Sequence, residues 1–257
     1  MTPGNLFRLQ LMAAFGDRRQ MILRVGVSCL LSLPFVLVGM PARAQAGGIV
    51  MVVLFTAFFG AAVSHAHLRA DGRLARLRLL PISRWTLWPD LILSSMLMRL
   101  GPSAVVLTGF VAVNGRNVSP AVLLNLIGLL CAALLLLTLL GIGTGRLARS
   151  NAEVHLFGAL ATGVLAVLSG VAPLPERLLG LEAAMAGNPI ARLHGALIEL
   201  ATGMVVVPAI EMGLSSTILI AVMAAAILRW VSGGTREQER FDTQDVVNRT
   251  SMEVQAK

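Results

Sequence analysis

Val118 to Gly145 reads VSPAVLLNLIGLLCAALLLLTLLGIGTG, 28 residues without one charged side chain. A hydrocarbon core about 30 Å thick takes roughly 20 apolar residues as a helix, so this stretch predicts a membrane span. Similar segments lie on both sides. Val25 to Met40, Ala44 to Ser64 and Leu91 to Val113 precede it, the last interrupted by Arg99. Val154 to Ala172 and Met212 to Leu228 follow. Ala201 to Ile210 is apolar but too short to cross, and reads as re-entrant or interfacial. The expectation is an all-α integral membrane protein with six transmembrane helices.

Composition agrees. Of the 257 residues, 56% are hydrophobic and 13% charged, against roughly 25% charged in an ordinary soluble domain. Mean hydropathy is +0.80. A soluble enzyme, a nucleic-acid-binding domain and a disordered regulator fit poorly. Cys29 and Cys131 both lie in apolar runs, which argues against a disulfide framework. Lys257 is the sole lysine beside 20 arginines, a bias that a GC-rich bacterial genome produces.

Arginine placement tests the span count independently. Arg8, Arg18, Arg19 and Arg24 precede the first span, and Arg69, Arg73, Arg76, Arg78 and Arg84 separate the second from the third. Arg146 and Arg149 separate the fourth from the fifth, and Arg229, Arg236, Arg240, Arg249 and Lys257 follow the sixth. Those 16 cations fall on one side, and only Arg43, Arg116, Arg177 and Arg192 fall on the other. The positive-inside rule then puts both termini and the two basic loops in the cytoplasm, and the expected location is a bacterial inner membrane. Ala42-Arg43-Ala44 has the form of a signal-peptidase site, but cleavage there would leave five spans and break the charge alternation.

The organisation expected is a cytoplasmic amphipathic N-terminal segment (1–24), a six-helix transmembrane domain (25–231) and a cytoplasmic tail (232–257). Phe7, Leu11, Ala14 and Phe15 give the first an apolar face suited to the membrane surface. In the loop after the second span, Arg69, Arg73 and Arg76 recur at helical spacing beside Ala70, Leu74 and Leu77, until Pro81 ends the pattern. Trp85 and Trp88 suit a membrane interface. Between the fifth and sixth spans, Pro173, Pro175 and Asn188-Pro189 predict short helices re-entering the outer leaflet.

Chemistry is sparse. A phosphate loop needs a lysine within a glycine-rich stretch, and the sole lysine ends the chain. His65 and His67, two apart, do not share a helical face, so no metal site is expected. Inside the spans Arg99 is an intramembrane cation, a functional candidate by default, and Glu211 breaks the apolar run at the outer end of the sixth span. Gly141-Ile142-Gly143-Thr144-Gly145 permits close helix approach. No catalytic constellation emerges.

The order of features carries a resemblance. An amphipathic segment and two spans lead to a basic loop ending in Leu79-Leu80-Pro81-Ile82-Ser83-Arg84. Three spans, Gly170-Val171-Ala172-Pro173-Leu174-Pro175, Asn188-Pro189 and a sixth span follow. Over about residues 5–231 this resembles the permease subunit of ABC-2 type ABC transporters. Asp71-Gly72 stands where the family often has an acidic residue and glycine. The resemblance implies a dimeric translocation path made with a second copy or a related permease, probing no nucleic acid and embedded in the lipid bilayer. It implies a separate cytoplasmic ABC ATPase carrying ATP and Mg, and no cofactor on this chain. The ATPase-coupling loop would comprise Arg69, Asp71, Gly72, Arg73, Arg76 and Leu77, and export is the family-level direction. A stand-alone secondary transporter or channel, and a non-transporting membrane assembly factor, are the alternatives.

Overall fold

The computed structural model describes residues 8, 12, 18–37, 39–79, 84–114, 118–148, 150–172 and 187–203, and among these there is no strand. The helices are α1 (Arg18–Leu37), α2 (Ala42–Leu54), a π-helical segment (Phe55–Phe59), α3 (Gly60–Ala70), α4 (Arg73–Arg78), α5 (Arg84–Asn114), α6 (Pro120–Leu147), α7 (Asn151–Leu168) and α8 (Pro189–Thr202). Three helical stretches among the described residues are long and apolar enough to cross a membrane: Ala42–Ala70, Leu87–Asn114 and Pro120–Leu147. Met21–Leu37 and Ala152–Leu168 are apolar but shorter. The sixth expected span, Glu211, most of the N-terminal segment and the C-terminal tail lie outside the described residues.

The helix starts are chemically legible. Ser119 accepts a hydrogen bond from the Val122 amide at 3.4 Å, with Pro120 in the first turn of α6. Ser150 does the same for Glu153 at 3.2 Å, opening α7. Each side-chain oxygen satisfies a backbone donor that the first turn leaves without a helical acceptor.

The long helices run up and down. Phe35 near the end of α1 lies against Gly48 near the start of α2. Leu74, Trp88 and Ile142 meet in one cluster, which joins α4 to the start of α5 and the end of α6. At the opposite end Ile190, Leu193 and Leu197 of α8 pack in the main core with Ala46, Val122 and Phe110. Arg69, Arg73, Arg76 and Arg146 therefore gather at one end of the bundle, and Arg43 and Arg192 at the other. We call these the arginine end and the α8 end.

α6 approaches the backbone of α3 and of the end of the π-helical segment closely. A Cβ on Gly141 would stand 2.6 Å from Ala61 Cβ and collide with the Phe58 carbonyl oxygen. A Cβ on Gly145 would meet the Ala62 carbonyl and stand 3.2 Å from Ala62 Cα. In lipid the apolar surroundings offer no hydrophobic drive between helices, so close backbone approach over small residues supplies the packing. Gly141 and Gly145 fill the role that the sequence indicates.

Candidate functional site

The loop after α3 differs from its expected form in one respect. Arg69, Arg73 and Arg76 do not form one stripe, because the helix ends at Ala70 and restarts at Arg73. Gly72 between them has φ of +66°, a left-handed conformation that favours glycine because a Cβ crowds the backbone there. Asp71-Gly72 is thus a hinge-like turn and α4 is a separate helix. Arg69 stays with α3 and donates to the Arg146 carbonyl at 3.0 Å and to the Ala148 carbonyl. These are acceptors at the end of α6, where a cation also meets the negative pole of the helix.

α4 is amphipathic as expected. Leu74 is buried with Leu87, Trp88, Leu91, Leu139 and Ile142, and Leu77 packs at the edge of that cluster. Arg73 and Arg76 are exposed. Arg73 Nε lies 3.7 Å from Asp71 Oδ2, with both side chains more than half exposed at 69% and 54%, so the pair contributes little to stability. Trp88 is buried, because α4 folds over it and its ring centroid lies 6.0 Å from that of His65. His65 is buried and His67 exposed. Among the described residues no cluster of His, Cys, Asp and Glu could hold a metal ion.

Arg99 is the middle residue of α5, since that helix begins at Arg84, earlier than the expected span. Its guanidinium turns back one turn toward the arginine end, donating to the carbonyl and the hydroxyl of Ser95. It also donates to Ser64 Oγ at 3.4 Å. Side chains on a helix lean toward its N-terminus, so the charge sits well below the level of its own Cα. Ser64 is six residues short of the end of α3, about 9 Å of helix.

The guanidinium lines an open cavity of about 310 Å³ between α1, the π-helical segment, the start of α3 and α5. Ser28, Thr56 and Ser64 add hydroxyls to its wall. Thr56 Oγ1 donates to the Val52 carbonyl at 2.7 Å, which keeps it on the helix. The remaining wall is apolar and includes Leu23, Val27, Phe55, Phe59 and Pro102. The π segment shapes this wall. Phe55 and Phe59 stack with ring centroids 5.0 Å apart and planes 11° apart, and His155 of α7 lies 5.4 Å beyond. Single π turns inside α-helices occur often at functional sites.

At the α8 end, His194 is buried and its Nδ1 lies 3.2 Å from the Ser169 carbonyl. Burial pushes its pKa below the ordinary 6.5; backbone carbonyls of Arg43 and Ser169 oppose that shift and the Arg43 charge adds to it.

Of the expected site residues, Leu77, Arg73 and Arg76 share α4, Asp71 and Gly72 form its lead-in, Arg69 closes α6, and Arg99 belongs to a different site. Glu211 lies outside the described residues. Comparison with protein-family models, with curated proteins and with solved structures returns no match.

Proposed function

We propose that this chain is the membrane-spanning subunit of an ATP-driven ABC-2 type transporter, acting as an exporter in the bacterial inner membrane. The observation that carries this reading is α4. A short basic helix, set off by the Asp71-Gly72 turn, stands at the arginine end with its cations outward and Leu74 wedged between α5 and α6. Force applied to α4 therefore reaches two long helices at once through a buried side chain. Close packing transmits such displacement instead of absorbing it.

In this reading six spans place both termini in the cytoplasm. Two such subunits border the export path, and a separate ATPase with ATP and Mg presses on α4. The sequence supports that division of labour, because the only lysine is Lys257 and a phosphate loop needs one in its glycine-rich turn.

The test is charge reversal on the outward face of α4. Arg73→Glu with Arg76→Glu should abolish transport and the chain-dependent stimulation of ATP hydrolysis. Membrane insertion and thermal stability should stay at wild-type levels, since neither arginine is buried. Wild-type transport in the double variant would remove α4 from the coupling role.

A further inference from the structure

We propose that the Arg99 cavity binds one anionic phospholipid drawn from the bilayer leaflet at the arginine end. Its phosphate would lie on the Arg99 guanidinium beside Ser64, and an acyl chain would run along Val27, Phe55 and Phe59. This inference rests on membrane insertion and is independent of the transport reading.

Three features converge on that occupant. The first is charge. A guanidinium presents planar paired N–H donors that match a phosphate, and an anionic headgroup brings that phosphate without the ammonium that a zwitterionic choline headgroup would set beside Arg99. Ser95 of α5 and Ser64 of α3 fix its orientation. The second is the distribution of polarity. Ser64 and the lowered guanidinium lie toward the arginine end of the cavity, and the two stacked phenylalanines extend from it toward the middle of the Ala42–Ala70 helix. A headgroup with its chain pointing inward reproduces that order, whereas a free inorganic anion leaves the apolar wall unused. The third is the mouth. Leu23, Val27 and Phe55 line the cavity and are 56%, 50% and 49% exposed. The cavity thus opens through apolar side chains, the surface that faces hydrocarbon in a membrane, so entry is lateral.

The depth is suitable as well. An arginine at the bilayer centre is costly, and a long side chain lowers that cost by reaching toward the headgroup region. The guanidinium lies beside Gly60 and Ser64, in the half of the Ala42–Ala70 helix nearer the arginine end, and a phospholipid of that leaflet would meet it by seating its headgroup in the cavity.

The full chain reconstituted in phosphatidylcholine vesicles can be examined by electron paramagnetic resonance with spin-labelled phosphatidylglycerol or equally labelled phosphatidylcholine. The wild type should hold phosphatidylglycerol in a motionally restricted population with about tenfold preference over phosphatidylcholine, the scale of one charge-assisted contact. Arg99→Gln should remove the preference, and Arg99→Lys should retain part of it. Val27→Trp keeps the charge but obstructs the mouth, and should also remove it. An unchanged preference in Arg99→Gln or Val27→Trp would overturn the site, and would assign the attraction to the arginine end as a whole. Loss of the restricted population on adding inorganic phosphate would overturn the lipid, leaving a free phosphate as the ligand. None of these readouts requires an ATPase, so they stand or fall apart from the transport function.

Discussion

At the scale of single residues, three glycines within one helix make opposite predictions. Gly141 and Gly145 face backbone atoms of the Phe58–Ala62 stretch, whereas a Cβ on Gly143 meets nothing within 4 Å. Gly141→Leu and Gly145→Leu should each destabilise the detergent-solubilised protein by about 1–3 kcal/mol or more, because the obstacle is backbone and cannot rotate away. Gly143→Leu should be close to neutral. Thermal unfolding of the three variants checks this, and equal losses at all three positions would contradict the α3–α6 contact. The two arginines flanking Asp71-Gly72 divide in the same way. Arg69→Ala removes donors from the Arg146 and Ala148 carbonyls, and should cost about 1 kcal/mol. Arg73→Ala loses only an exposed ion pair and should leave the unfolding temperature unchanged.

At the scale of elements, α8 shows what was legible in the sequence and what was not. The expectation is short re-entrant helices around a break at Asn188-Pro189, with a separate apolar piece from Ala201 to Ile210 that lies mostly outside the described residues. The structure makes Asn188 the cap of a helix: its side chain accepts from the Ile190 amide at 3.0 Å and donates to the Leu168 carbonyl at 3.1 Å. Gly203, with φ of +72°, closes that helix after Thr202. Asparagine followed by proline in the first turn is a helix-start signal, so this element was readable from local chemistry. The turn at Asp71-Gly72 was harder to see, because arginines at helical spacing continue across it. The π segment Phe55–Phe59 carries no signal of its own, since its apolar residues match the helix on both sides. α8 also carries a pH prediction. His194 has a folded pKa below its ordinary 6.5, so the unfolded state takes up protons first as pH falls. Its contribution is present above 6.5 and is lost as pH drops through that value toward the folded pKa. Acidification should lower the unfolding temperature, and His194→Gln should flatten that part of the profile. A profile identical to wild type in His194→Gln would show that His194 does not set it.

At the scale of the whole molecule, the described helices put Arg69, Arg73, Arg76 and Arg146 at one end and Arg43 and Arg192 at the other. Charge placement is legible in a sequence because a bilayer penalises cations in its core and biases their side. The long spans are legible because hydrocarbon thickness fixes their length. The Arg99 cavity was legible only as a lone cation, because its walls come from three separate stretches that no spacing rule brings together. The proposed coupling to an ATPase belongs to this scale, since it needs a second chain. The most direct measurement is affinity purification of the tagged wild-type chain from its native membrane in mild detergent, with mass spectrometry of the proteins retained. Transport as an ABC-2 permease predicts a stoichiometric soluble subunit carrying a phosphate loop. A homogeneous preparation of this chain alone, with flux after reconstitution that needs no ATP, would contradict it.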